Sequence, residues 1–227
     1  MLFDLFTEGF SINTIMNLMA RIFVVFCTLP IHEYAHALVA TKLGDDTARL
    51  KGRLTLNPLA HIDIMGAVMI FLVGFGYAKA VPVNPRHFKS PRKGMALTAL
   101  AGPLSNIIMA IIFMLLANIF NVAMIYTQGL IVMQVSMLFF TFAAQINVSL
   151  AIFNLIPIPP LDGSRIANLL IPSKYYFKIM QYERYIMYAL LILLFLNVLD
   201  GPLYAVSDFV FGGLNEIASF PLKFMFG

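Results

Sequence analysis

Charge is what this chain has least of. Asp, Glu, Lys and Arg make up 11% of its 227 residues, against 60% apolar residues, and the mean hydropathy is +0.86. A soluble domain of this size needs far more polar surface. The composition excludes a soluble globular protein and points to a polytopic membrane protein, read as one integral-membrane domain over residues 1–227. Cysteine is nearly absent too. Cys27 stands alone, which excludes an intramolecular disulfide framework. That thiol either packs within a membrane helix or lies near a metal. No repeat, linker or low-complexity tract divides the sequence. No cleavable leader is evident, because the first ten residues carry Asp4 and Glu8 and no basic side chain. The formal charge of +4 fits basic loops on one side of a membrane, and no nucleic-acid partner is expected.

Histidine is scarce as well, and this makes its placement informative. Two of the four His fall in one pentapeptide, His32-Glu33-Tyr34-Ala35-His36, inside an otherwise apolar run. On a helix, residues four apart share a face, so both imidazoles can hold one metal ion. Zinc suits such a site, with three protein ligands and one position left open. Glu33 follows the first His directly, where it can take a proton from water and pass it to a leaving amine. Ionisable side chains cost about 2.5–3.5 kcal/mol each at the centre of a membrane helix on insertion scales, so they are rarely there without a task.

Around this motif the chain reads as follows. Met1–Gly9 is a short acidic-aromatic interfacial anchor, and Ser11 to Leu43 is the first span, ended by Gly44. Arg21 either snorkels or pairs inside the bundle. Pro30 gives either an ordinary kink or a local opening that admits water. From Thr47 to Leu56 polar and apolar residues roughly alternate, which predicts a short strand or hairpin near the membrane surface. Such a strand edge either pairs with an unwound substrate or is a plain connection. Asn57 to Asp63 is a polar turn, with His61 and Asp63 as caps or supports of the metal site.

Ile64 to Ala80 is apolar but short. If it re-enters rather than crosses, 13 of the 15 Lys and Arg fall on one side, which the positive-inside tendency prefers. Gly94 to Leu161 holds no Asp, Glu, Lys or Arg over 68 residues, enough for two crossings with a turn near Asn118–Gln128. Small residues at Ala101-Gly102-Pro103 allow close helix approach, and Asn106 can hydrogen-bond across the contact. Asn147 and Asn154, seven apart, share a face that looks into the bundle. Pro157, Pro159 and Pro160 then stop the helix, and Asp162 follows as the first charge. Asp162 is either a helix cap or a third ligand completing the two-His site, with Gly163 turning the backbone beside it. Tyr185 to Leu199 is short for a span, and Gly201 to Gly227 is aromatic, lying on the surface or over the site. The fold expected is an all-α polytopic membrane protein with about four to six transmembrane or re-entrant helices and a short membrane-associated β-hairpin.

With these stretches in view, the chain resembles the site-2 proteases, zinc metalloproteases that cut inside the membrane. The resemblance rests on His-Glu-Tyr-Ala-His at 32–36, Asn-Pro at 57–58, Ala-Gly-Pro at 101–103 with Asn106, and Asn154 through Leu161-Asp162-Gly163. It covers roughly residues 30 to 165, in the compact form without a PDZ or CBS domain. It implies one Zn2+ held by His32, His36 and Asp162, with Glu33 as catalytic acid/base and Asn154 helping to hold substrate or oxyanion. It also implies transmembrane protein substrates, surrounding lipid, and a site near the cytosolic face, here of the plasma membrane. The other classes such a site allows are a metal-binding transporter and an inactive membrane scaffold. No paired halves of the kind transporters often show are visible.

Overall fold

Helices form wherever the apolar runs are long enough to satisfy their own backbone. The structure is a computed structural model and describes residues 11–66, 68 and 79–226. The expected anchor at Met1–Gly9 and most of Ile64–Ala80 lie outside the described residues. Helix α1, Ile12–Lys42, starts at Ser11, whose hydroxyl accepts the Thr14 N–H at 3.1 Å. Arg21 donates to Asn17 one turn back at 2.7 Å. At Val24–Thr28 the helix widens into a π turn, with Leu29 N–H bonded to the Val24 carbonyl. That turn directly precedes Pro30, which has no N–H to donate and crowds the carbonyl four residues back. The C-terminus closes on Gly44 at φ +105°, with Gly44 N–H to the Thr41 carbonyl and Asp45 N–H to the Ala40 carbonyl. This is the glycine-terminated helix end that rigidly aims the next residue.

The next stretch corrects the sequence expectation. There is no strand among the described residues, and the predicted hairpin is instead a one-turn helix, α2, Thr47–Leu50. Local polar chemistry outweighs the alternating pattern. The Asp45 carboxylate accepts the Thr47 N–H and hydroxyl, which starts the turn. Gly52 at φ +67° ends it, with Arg53 N–H bonded to the Ala48 carbonyl at 2.8 Å. A second short helix, α3, Pro58–His61, begins with Asn57 as cap and proline in its first turn. Asp63 accepts the Gly66 N–H, so this turn uses its polar side chains as caps.

The long uncharged run becomes α4, Pro91–Tyr126, and α5, Ile131–Leu155. Gln128 and Gly129, at φ 52° and 81°, make the turn between them. After the proline break come α6, Asp162–Ala167; α7, Ser173–Met180; α8, Glu183–Phe195; and α9, Asp200–Phe226. Among the described residues, α1, α4 and α5 are long and apolar enough to cross a membrane. The pair α8 and α9, bent by 83°, makes a fourth if it is one broken span. The chain is an integral membrane protein.

Alanines set the packing. Ala20, Ala110, Ala143, Ala144 and Ala218 are buried together with Phe113, Met114 and Val148, which brings α1, α4, α5 and α9 close. Phe23 fills the remaining space, edge-on to Phe113 and Phe139 at 5.7 and 5.4 Å. At the opposite end of α4, Arg92 donates to the carbonyls of Asn168 and Ile171. Those carbonyls end α6, so Arg92 ties the Asp162 helix to the start of α4.

Candidate metal centre

His32 and His36 lie in the buried half of α1, on the face turned to α4. Their rings are nearly perpendicular, and the two Nε2 atoms are 3.0 Å apart. Oδ2 of Asp162 stands 3.2 Å from Nε2 of His36 and 3.4 Å from Nε2 of His32. A tetrahedral ion with bonds of ~2.1 Å separates its ligand atoms by about 3.4 Å. The observed spacing therefore fits one small ion, and the donor set of two imidazoles and a carboxylate suits zinc. His36 Nδ1 donates to the Thr98 carbonyl at 2.7 Å, so its Nε2 carries the lone pair facing the centre. His32 Nδ1 is buried with no hydrogen-bond partner among the described residues.

Two glycines make the convergence possible. A Cβ at Gly102 would overlap Nε2 of His36 and the ring of His32, so only glycine lets α4 lie against these rings. A Cβ at Gly163 would overlap the carbonyls of Leu155 and Ile156. Its task is thus close approach of the α6 backbone to the end of α5, rather than a sharp turn. The prolines end α5 and let the chain re-enter helix at once with Asp162 in its first turn. Leu161 occupies the cap position, and the Asp162 carboxylate points at the imidazoles.

Glu33 is 7% exposed, and its Oε2 accepts the backbone N–H of Val81 at 3.1 Å. The triad, Glu33 and Asn154 line one cavity of about 320 Å³, whose remaining wall is largely aliphatic. Asn154 donates to the Leu150 carbonyl at 2.9 Å. Asn147, on the same face, is fully buried and donates to Ala143. Asn106 is buried, and its Oδ1 makes no hydrogen bond among the described residues. Cys27 is exposed and does not line the cavity. His61 is buried against the Thr55 carbonyl at 2.8 Å. Sequence reasoning missed the backbone groups of Thr98 and Val81. Side-chain identity carries no signal for them.

A buried two-imidazole, one-carboxylate cluster beside a carboxylate, set among lipid-length helices, defines a membrane metallohydrolase. The chain belongs to Peptidase family M50, whose pattern matches residues 20–196. It is 42% identical over 169 residues to YwhC of Bacillus subtilis (strain 168), named as a candidate zinc metalloprotease, covering 72% of this chain and 74% of YwhC. It is 30% identical over 143 residues to Rip2 of Mycolicibacterium smegmatis, covering 60% of this chain and 51% of that one. A zinc metalloprotease of Methanocaldococcus jannaschii is 27% identical over 218 residues, covering 92% of this chain and 52% of its own. The chain thus spans about half the length of these last two relatives. No solved structure matches it. The protein is a zinc metalloendopeptidase embedded in the membrane.

Proposed function

We propose that this metalloprotease hydrolyses peptide bonds within or near the transmembrane segments of other membrane proteins. The observation that carries the reading is the depth of the site. His32, Glu33 and His36 are buried in a helix long and apolar enough to span lipid, and Asp162 is brought within 3.4 Å of both imidazoles. His32, His36 and Asp162 hold the zinc, which when bound supplies a Lewis acid that activates water and polarises a carbonyl. Glu33 is the general base. Its Oε2 is engaged by Val81, and no hydrogen bond to Oε1 is present among the described residues, so that oxygen is left to take the water's proton. Asn154 spends one amide N–H on Leu150 and keeps a second to steady a substrate carbonyl oxygen.

A helical substrate hides its peptide bonds in its own hydrogen bonds and must unwind first. The proline break after α5 and the polar groups lining the cavity give an unwound segment partners that lipid lacks. The site faces the cytosol of the plasma membrane in this reading, because the basic residues cluster in the segments flanking it.

The test uses purified protein and its Glu33→Gln form with single-span peptides, with and without a zinc chelator. Chelator-sensitive cleavage that disappears in Glu33→Gln, with zinc still bound, is expected. Cleavage by clean Glu33→Gln protein removes the base assignment. Zinc flux in proteoliposomes without peptide cleavage would point to transport instead.

A further inference from the structure

The end of α1 and the segment Lys79–His87 form a closed ring of contacts that returns to Glu33. Asp45 is fully buried, and its position follows α1 because its N–H is bonded to the Ala40 carbonyl at 2.9 Å. Gly44 lies against the His87 carbonyl and reaches φ +105°, which keeps this corner tight. The Asp45 carboxylate then hooks the other segment. Oδ2 accepts the Asn84 N–H at 2.6 Å, and Oδ1 accepts from Nδ1 of His87 at 2.8 Å.

The sequence Val81-Pro82-Val83-Asn84-Pro85 explains why the hooked segment is straight. Each residue before a proline is pushed to extended backbone, and Asn84 sits at φ −106°, ψ 104°. Arg53 donates to the carbonyls of Lys79 and Ala80, and Lys79 N–H bonds the His61 carbonyl at 2.8 Å. Held at both ends, the strap delivers the Val81 N–H to Oε2 of Glu33.

We propose that Asp45 is a positioning residue for Glu33, acting through this strap. A carboxylate base has two oxygens and a soft terminal torsion. A fixed N–H on one oxygen sets the direction of the other, and a base misplaced by about 1 Å can cost up to ~10²-fold in rate. Asp45 touches neither the metal ligands nor Glu33. Its carboxylate instead terminates a ring through α1, Asn84, His87 and Val81.

This inference rests on Glu33 being the general base, and the experiment separates the two. Zinc-loaded wild type, Asp45→Asn, Val81→Pro and the half-exposed neighbour Asp46→Asn are assayed on the best-cleaved of a panel of dye-quenched single-span peptides. The Glu33 carboxylate band is read by infrared difference against Glu33→Gln. Asp45→Asn and Val81→Pro are expected to lower kcat about ten- to a hundredfold. KM and zinc content should stay within about twofold, and the Glu33 band should move. Asp46→Asn should match wild type. If Asp45→Asn does not yield zinc-loaded protein, the half-exposed His87→Ala, which removes one donor to the same carboxylate, decides in its place. Wild-type kcat and an unmoved band in the deciding variant overturn the inference. Cleavage by Glu33→Gln instead overturns the base assignment beneath it.

Discussion

The two halves of α1 meet opposite surroundings. Along Ile12–Phe23 only Ala20 is buried, and Ile12, Ile15, Met19 and Ile22 point outward, as a lipid-facing helix requires. Along Leu29–Lys42 the buried set includes His32, Glu33 and His36. The first half packs mainly by shape, one alanine against a cluster of alanines and phenylalanines, and its Arg21 finds Asn17 on the same helix. The second half carries polar groups that need partners, because an unmet buried one costs several kcal/mol; His32 Nδ1 and the Thr41 hydroxyl have none among the described residues, while Glu33 and His36 do. Most of those partners come from outside α1. The Thr98 carbonyl, the Val81 N–H and the Asp162 carboxylate all reach it from other segments. The π turn at Val24–Thr28 marks where one regime gives way to the other.

The largest break in this contrast comes from the triad. Asp162→Ala or His36→Ala should leave no stoichiometric zinc by atomic emission and no cleavage, with the bundle still folded in detergent. A variant retaining one zinc per chain would show that the ligands lie elsewhere. Glu33→Gln should keep the zinc and lose about 10²–10⁴-fold in kcat. Gly102→Val places a side chain on both imidazoles, so zinc affinity should fall at least about 10–100-fold in a chelator competition.

Phe113→Ala tests the other regime. It should lower thermal stability by about 3 kcal/mol, the low end for a buried phenylalanine, while kcat of the folded fraction stays unchanged.

The smallest effect expected is the pH dependence of the stability that the Asp45 charge contributes. Burial would raise its carboxyl, but hydrogen bonds from Thr47, Asn84 and His87 outweigh that and hold it below the usual value. A carboxyl with a lowered folded pKa contributes stability above the ordinary value of about 3.9 and loses it as pH falls through the folded one. The gap in melting temperature between wild type and Asp45→Asn should therefore shrink on acidification below about pH 4. A gap that holds constant would mean the carboxylate charge contributes nothing.

The same contrast explains which features were legible beforehand. Apolar length alone placed α1 and required two crossings between Gly94 and Leu161, because lipid leaves a backbone no option but its own hydrogen bonds; the turn expected near Asn118–Gln128 lies later, at 127–130, since α4 runs on to Tyr126. The spacing of His32 and His36 and the isolation of Asp162 after 68 uncharged residues marked the candidate ligands. The stretch after α1 was misread. There the alternating pattern was weak evidence, and one aspartate and one glycine imposed a helical turn instead of a strand.

Sequence alone determined the membrane class, the span-forming stretches and the inventory of candidate metal ligands, since these follow from hydropathy and residue chemistry. Tertiary structure decided that residues 126 and 130 positions apart meet within 3.4 Å, that Gly102 leaves room for them, and that a backbone N–H from Val81 engages Glu33. Those facts depend on which backbone groups face each other across helices, and every residue carries the same N–H and C=O whatever its letter, proline's missing N–H excepted.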